Sequence, residues 1–139
     1  MKVLCVFGQH NYGNPARGEG YEYVNFIPAL RRLGHTVSFF DSWNRSLHSD
    51  FAELNLALLK TVEAEKPDLI FAVLMHFEIW LETWEILRNV CGITTVNWAT
   101  DDSWKYAQFS RLVAPAFDAF ATTYRTSYEH YLADGHRSA

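Results

Sequence analysis

The chain has 139 residues, 49% of them apolar, 16% aromatic and 20% charged, with a formal net charge of −4. That length suits one compact domain, which at this size buries roughly two-thirds of its unfolded surface and needs no disulfide or metal staple. The apolar content excludes a disordered chain, and a pI near 5.8 argues against general nucleic-acid or anionic-membrane binding. The longest unbroken apolar run, Leu69–Met75, falls far short of the roughly 18–20 residues a membrane span needs. Met1–Phe7 leads into Gly8-Gln9-His10-Asn11 instead of a small-residue cleavage site, so it reads as a strand and not as a signal peptide. Cys5 and Cys91 form no CxxC pair and sit in apolar segments, which predicts buried free thiols in a reducing, cytoplasmic setting.

Lys2–Phe7 is nearly all apolar and stops at Gly8, as a strand buried on both faces should. Tyr23, Phe26, Ile27, Leu30 and Leu33 then recur at helical spacing up to Gly34. Pro28 interrupts them, so this helix either begins near Asn25 or is kinked at the proline. Thr36–Phe40 is a β-branched and aromatic second strand. Asp50 and Glu53 make a capping-box pattern ahead of a helix carrying Phe51, Leu54, Leu58 and Val62. Asp68–Met75, introduced by Pro67, is the strongest strand. Trp80, Trp84, Leu87 and Cys91 form the apolar stripe of a third helix, with Glu78, Glu82, Glu85 and Asn89 opposite. A strand at Thr94–Trp98, a helix over Ser103–Val113, a strand at Asp118–Thr122 and a helix over Ser127–Ala133 complete the alternation.

Such alternation predicts an α/β fold: a Rossmann-like, doubly wound parallel sheet of about five strands with helices on both faces. The expected strand order is 3-2-1-4-5, with the flavodoxin-like order as the alternative that periodicity leaves open. Ligands of such sheets sit beyond the carboxyl ends of the strands, where the winding reverses; for the expected order that is between the first and fourth strands.

The loop after strand one, Gly8–Gly20, is about twice the usual length for its kind and rich in Gly and polar side chains, which favours a binding loop. Its glycines at 8, 13, 18 and 20 do not form the dinucleotide fingerprint, which leaves Asp41 without the context of a ribose-binding acid. Arg17 is a candidate clamp for a phosphate, carboxylate or sugar hydroxyl, or else a brace for the loop. His10 is a candidate general base, or else a simple hydrogen-bonding group. After strand four come Ala99-Thr100-Asp101-Asp102-Ser103-Trp104. Either carboxylate could take a hydroxyl proton or hold acceptor hydroxyls; Asp102 or Ser103 is expected to cap the next helix, leaving Asp101 to face the crevice. The pair lacks a third ligand and predicts no metal site. His76-x-Glu78 lacks the downstream PCxxC of a zinc deaminase, and Glu78 reads as an acid placed for a helix dipole. No HExxH, GxSxG or GxxxxGK[ST] occurs, and no cofactor is expected.

Arg17-Gly18 followed by Gly20-Tyr21-Glu22-Tyr23-Val24-Asn25-Phe26, then Ala29-Leu30-Arg31-Arg32-Leu33-Gly34-His35-Thr36-Val37, resembles the opening of CgeB-like glycosyltransferases. Lys66-Pro67-Asp68-Leu69-Ile70-Phe71, Glu82-Thr83, Thr95-Val96-Asn97-Trp98 with Asp101-Asp102, and Thr122-Thr123 continue that resemblance in order along nearly the whole chain. The resemblance implies a GT-B architecture, in which sugar passes from a nucleotide-sugar to an acceptor between paired Rossmann domains. The N-terminal domain of such enzymes mostly holds the acceptor. His10, Asn11 and Arg17 would then line the acceptor side, with Tyr12, Glu22, Asp102 and Trp104 as further substrate-binding candidates and Asp101 or His10 as the base.

Gly135 is expected to end the last helix where a sixth strand would begin, and neither that strand nor a donor-binding C-terminal domain is expected within these residues. The expectation is an acceptor-side domain, inactive alone, that needs that domain or a partner chain. The rival expectation is a stand-alone, non-catalytic small-ligand or interaction module, closed by homodimerisation.

Overall fold

Strands β1 (Lys2–Phe7), β2 (Thr36–Asp41), β3 (Leu69–Ala72), β4 (Thr94–Ala99) and β5 (Ala119–Thr122) pair in one all-parallel sheet. The structure, a computed structural model, describes residues 1–137. Six helices accompany the strands among these residues: α1 (Tyr21–Arg32), α2 (Phe51–Glu65), α3 (Leu81–Glu85), α4 (Asp102–Lys105), α5 (Arg111–Val113) and α6 (Arg125–Ala133). The protein is thus an α/β, Rossmann-like domain. No helix among the described residues is long and apolar enough to cross a membrane.

The strand order is β2-β1-β3-β4-β5, the flavodoxin-like alternative and not 3-2-1-4-5. Apolar runs say that a strand is buried, but they do not say beside which neighbour. Here the winding reverses after β2, so β3 lies against β1, with Val3 opposite Leu69 and Val6 opposite Ala72. The topological switch point therefore falls between β1 and β3. This one change relocates the expected crevice.

Successive strand residues point to opposite faces, and the core divides accordingly. Val3, Cys5 and Phe7 pack with Tyr23, Phe26, Ile27 and Leu30 of α1. Leu4, Val6, Ile70 and Ala72 pack on the other face, with Leu54, Leu58 and Val62 of α2, Trp84 of α3, Val113 of α5 and Tyr131 of α6. Both cysteines are free; Cys5 is buried, and burial pushes its thiol up to about 12. Cys91 is exposed, contrary to expectation.

Several boundaries differ for identifiable reasons. The third helix keeps its α form only to Glu85 and then widens into a π turn over Ile86–Val90. The extra residue per turn shifts the phase, so Trp84 and Leu87 stay buried while Cys91 leaves the stripe. Trp80 precedes α3 and is 43% exposed. The segment expected as one helix over Ser103–Val113 is likewise divided by a π turn at Tyr106–Ser110. β3 stops at Ala72 because the Asn97 side-chain oxygen, and not the β4 backbone, accepts from the Leu74 N–H at 3.1 Å. At α2, Asp50 accepts from the Glu53 N–H at 2.8 Å, and Glu53 reaches back to the Ser49 N–H at 2.7 Å, a capping box displaced by one residue.

α1 begins at Tyr21 and runs through Pro28, so the proline sits in the helix interior. Its ring leaves the Val24 carbonyl without the usual i+4 donor. Pro28→Ala is therefore expected to raise stability by about 1–2 kcal/mol, the restored bond exceeding the entropy regained by the unfolded chain. Urea unfolding midpoints of the two proteins check this; an unchanged or lower midpoint contradicts it. At the other end, Gly135 stops α6 at φ +81, and the Phe120 N–H of β5 donates to the Arg137 carbonyl at 3.0 Å. The expectation about the chain's last residues, Ser138 and Ala139, lies outside the described ones.

Candidate functional site

The loop from Gly8 to Gly20 is folded on itself. Asn11 donates its side-chain amide to the carbonyls of Arg17 and Glu19, each at 3.1 Å, and Gly20 donates to the Gln9 carbonyl at 2.7 Å. A side-chain amide spent in this way holds the loop closed. Arg17 lies outside the loop's interior, its guanidinium 5.1 Å over the exposed ring of Tyr12.

The loop is pinned to the one after β2. The Asp41 carboxylate accepts from the N–H groups of Gln9 at 3.3 Å and Trp43 at 3.1 Å, so it joins the loops and is not presented to a ribose. Gly13, at φ +67, lies so close that an added Cβ would stand 2.6 Å from the Trp43 carbonyl oxygen. Only glycine fits such an approach.

Between these loops and the residues following β3 opens a cleft of about 160 Å³. Phe7, Gly8, Trp43, Val73 and Met75 form its apolar part, while His10, Asn11, Tyr12 and Glu22 bring polar atoms to it. It occupies the β1/β3 switch point, where an open parallel sheet offers a crevice. Four of the candidates read from the sequence thus meet in one place.

The others do not. Arg17, Asp101, Asp102 and Trp104 are absent from the cleft wall. Since β3, not β4, adjoins β1, the loop after β4 is one strand further away. Asp101 takes the N-cap position of α4, in the left-handed region at φ +59, without a capping side-chain bond, so neither Asp102 nor Ser103 is the cap. Its carboxylate is 3.8 Å from Lys105 Nζ, which itself donates to the Met75 carbonyl at 3.1 Å. Asp102 turns inward: it is 1% exposed and accepts from the Tyr131 hydroxyl at 2.9 Å, while Ser127 donates to its carbonyl at 3.1 Å. Burial and this neighbouring carboxylate push the Tyr131 phenol well above its ordinary value. Asp102 therefore anchors α6 to the start of α4. Trp104 is 62% exposed, with Lys105 Nζ 5.3 Å from its ring centroid.

Glu78 departs most from its expected role. It precedes α3 and is 4% exposed. Its Oε1 accepts from Trp43 Nε1 and from the Met75 N–H, both at 3.0 Å, and its Oε2 accepts from the His76 N–H at 2.7 Å. Asn55 of α2 donates to the Glu78 carbonyl at 3.1 Å and accepts from Trp80 N–H at 2.9 Å and Thr83 Oγ1 at 2.8 Å. Burial pushes the Glu78 carboxyl above the ordinary range, against the three donors that favour its anion. The role of Glu78 is to fix Trp43 and the β3–α3 loop, which together form one side of the cleft. The sequence suggests Trp43 only as an exposed docking aromatic, not as a cleft residue; its signal is its place two residues beyond β2, in a loop at the carboxyl edge of the sheet. Among the described residues no cluster of His, Cys, Asp and Glu is arranged to hold a metal ion.

The chain matches no known family model, and a search of the curated proteins finds no match.

Proposed function

We propose that residues 1–139 form the acceptor-binding half of a glycosyltransferase, working with a donor-binding domain in the same or another polypeptide. The observation that carries this reading is the β1/β3 cleft, in which an imidazole, a carboxylate and a phenol border an apolar floor. A sugar acceptor asks for that combination: hydrogen bonds of both senses to its hydroxyls and an apolar surface for its C–H face. The motifs resembling CgeB-like glycosyltransferases point the same way.

Of the candidate bases, His10 borders the cleft and Asp101 does not. His10 is therefore assigned the removal of the acceptor hydroxyl proton as that oxygen attacks the sugar carbon. Glu22 and Tyr12 orient the acceptor. Arg17 and Trp104, both exposed, are left for contact with the donor-holding domain. Positioning both substrates supplies much of the rate of such a reaction, so one wall of the cleft alone gives little.

Calorimetric titration combined with a turnover assay tests this. The 139-residue chain is expected to bind simple glycosides weakly, to show no tight stoichiometric complex with nucleotide-sugars and to transfer no sugar. A tight one-to-one nucleotide-sugar complex, or turnover by this chain, contradicts the assignment. Tight binding of a single small ligand by a homodimer would favour a non-catalytic binding module instead.

A further inference from the structure

Beside the cleft lies a larger cavity of about 540 Å³, bounded by the β2–α2 loop, the first turn of α2 and the β3–α3 loop. Trp43 belongs to the walls of both, and the consecutive residues Met75 and His76 border one each. The two spaces are neighbours that share Trp43.

The larger cavity has an unusual lining for an apolar groove. Its apolar walls include Trp43, Phe51 and Phe77, the two phenylalanines being 43% and 44% exposed. Among them stands Ser42, only 4% exposed, whose hydroxyl has no hydrogen-bond partner among the described residues. Arg45 holds its guanidinium 5.4 Å over the Phe51 ring and enters no ion pair among the described residues. The acids of the lining are engaged, Glu78 by its three donors and Asp50 by the Glu53 N–H. Neither sign of charge dominates, and the donors of Arg45 stand among flat apolar faces.

That combination suits a neutral, polyhydroxylated ring, which shows a C–H face to an aromatic side chain and hydroxyls around its edge. The volume lies within the range of roughly 300–1,000 Å³ typical of small-molecule sites. We infer that the larger cavity is a second sugar subsite, adjoining the cleft at Trp43, so that the acceptor is a glycoside with one ring in each cavity. This rests on the acceptor reading above and names what that acceptor must be. Arg45 supplies guanidinium contacts to the distal ring, and Phe51 or Phe77 takes its C–H face.

The test is a titration of the full chain, followed by amide and indole NMR shifts, with glucose, cellobiose, N-acetylglucosamine and chitobiose as probes. A disaccharide is expected to bind about tenfold or more tightly than its monosaccharide, a difference of about 1.4 kcal/mol, and to shift signals of both cavities. Arg45→Gln and Phe77→Ala should remove most of that gain and leave monosaccharide binding unchanged, whereas His10→Ala should weaken both. The thermal midpoint of each variant verifies that it is folded. Equal affinity for one ring and two, with shifts confined to the cleft, overturns the second subsite and leaves the acceptor reading standing. Absence of any saturable shift overturns both.

Discussion

Glu78→Ala is expected to lower stability by about 2–4 kcal/mol, because it strands three N–H donors that cost roughly 1–3 kcal/mol each when unpaired, less the desolvation recovered with the carboxylate. Those donors are Trp43 Nε1 and the backbone groups of Met75 and His76, so the loss falls on the wall that separates the cavities. Glu78→Gln keeps an acceptor and should cost less. The pair also separates packing from charge. Burial raises the Glu78 carboxyl in the folded protein. Folding thus favours its protonated form, and this contribution is complete below the unfolded-state value and fades as pH rises through the folded-state value. The stability of the wild type relative to Glu78→Gln should accordingly fall as pH is raised upward from the ordinary carboxylate range. Denaturant unfolding at a series of pH values measures it, and a difference that grows with pH contradicts the assignment.

The second large effect belongs to Gly13. At φ +67, with the Trp43 carbonyl oxygen 2.6 Å from where a Cβ would lie, alanine must both adopt a left-handed backbone and displace the neighbouring loop. Gly13→Ala should cost about 2 kcal/mol or more, the conformational part alone being about 1–2 kcal/mol. Gly34, at φ +85 with nothing within 4 Å, provides the comparison, since alanine there meets only the conformational cost. A loss at Gly13 no larger than that at Gly34 in thermal or urea unfolding would show that the two loops are not tightly docked. The docking shapes the cleft because Gly13 holds its polar side against Trp43.

Much of this architecture can be read in the residues themselves. The strands from Lys2, Thr36, Thr94 and Asp118 are apolar enough to announce themselves, and Asp50 with Glu53 marks the start of α2 because capping is local chemistry. Strand order is different. It is decided by which crossover packs best on a finished sheet, and the alternation of Val3, Cys5 and Phe7 with Leu4 and Val6 is the same in either order. The site depends on that order: His10, Asn11, Tyr12 and Glu22 sit on the β1 side and meet in either case, whereas Asp101 and Asp102 would reach it only with β4 beside β1. Glu78 illustrates a separate limit. A carboxylate close before a helix fits the dipole argument, and nothing local reveals that Trp43, remote in sequence, donates to it. Asn97 and Asp102, both within the motifs resembling glycosyltransferases, are buried and serve Leu74 and Tyr131. A motif can thus be held by structure as much as by chemistry.

On the reading proposed above, the β1/β3 cleft receives a sugar acceptor. Chemical-shift mapping of the 139-residue chain with glycosides, and separately with nucleotide-sugars, decides this. Saturable shifts at His10, Tyr12, Glu22 and Met75 with glycosides, weaker or absent with nucleotide-sugars, are the predicted result. Shifts at those residues with nucleotide-sugars alone, or with neither class, would contradict it.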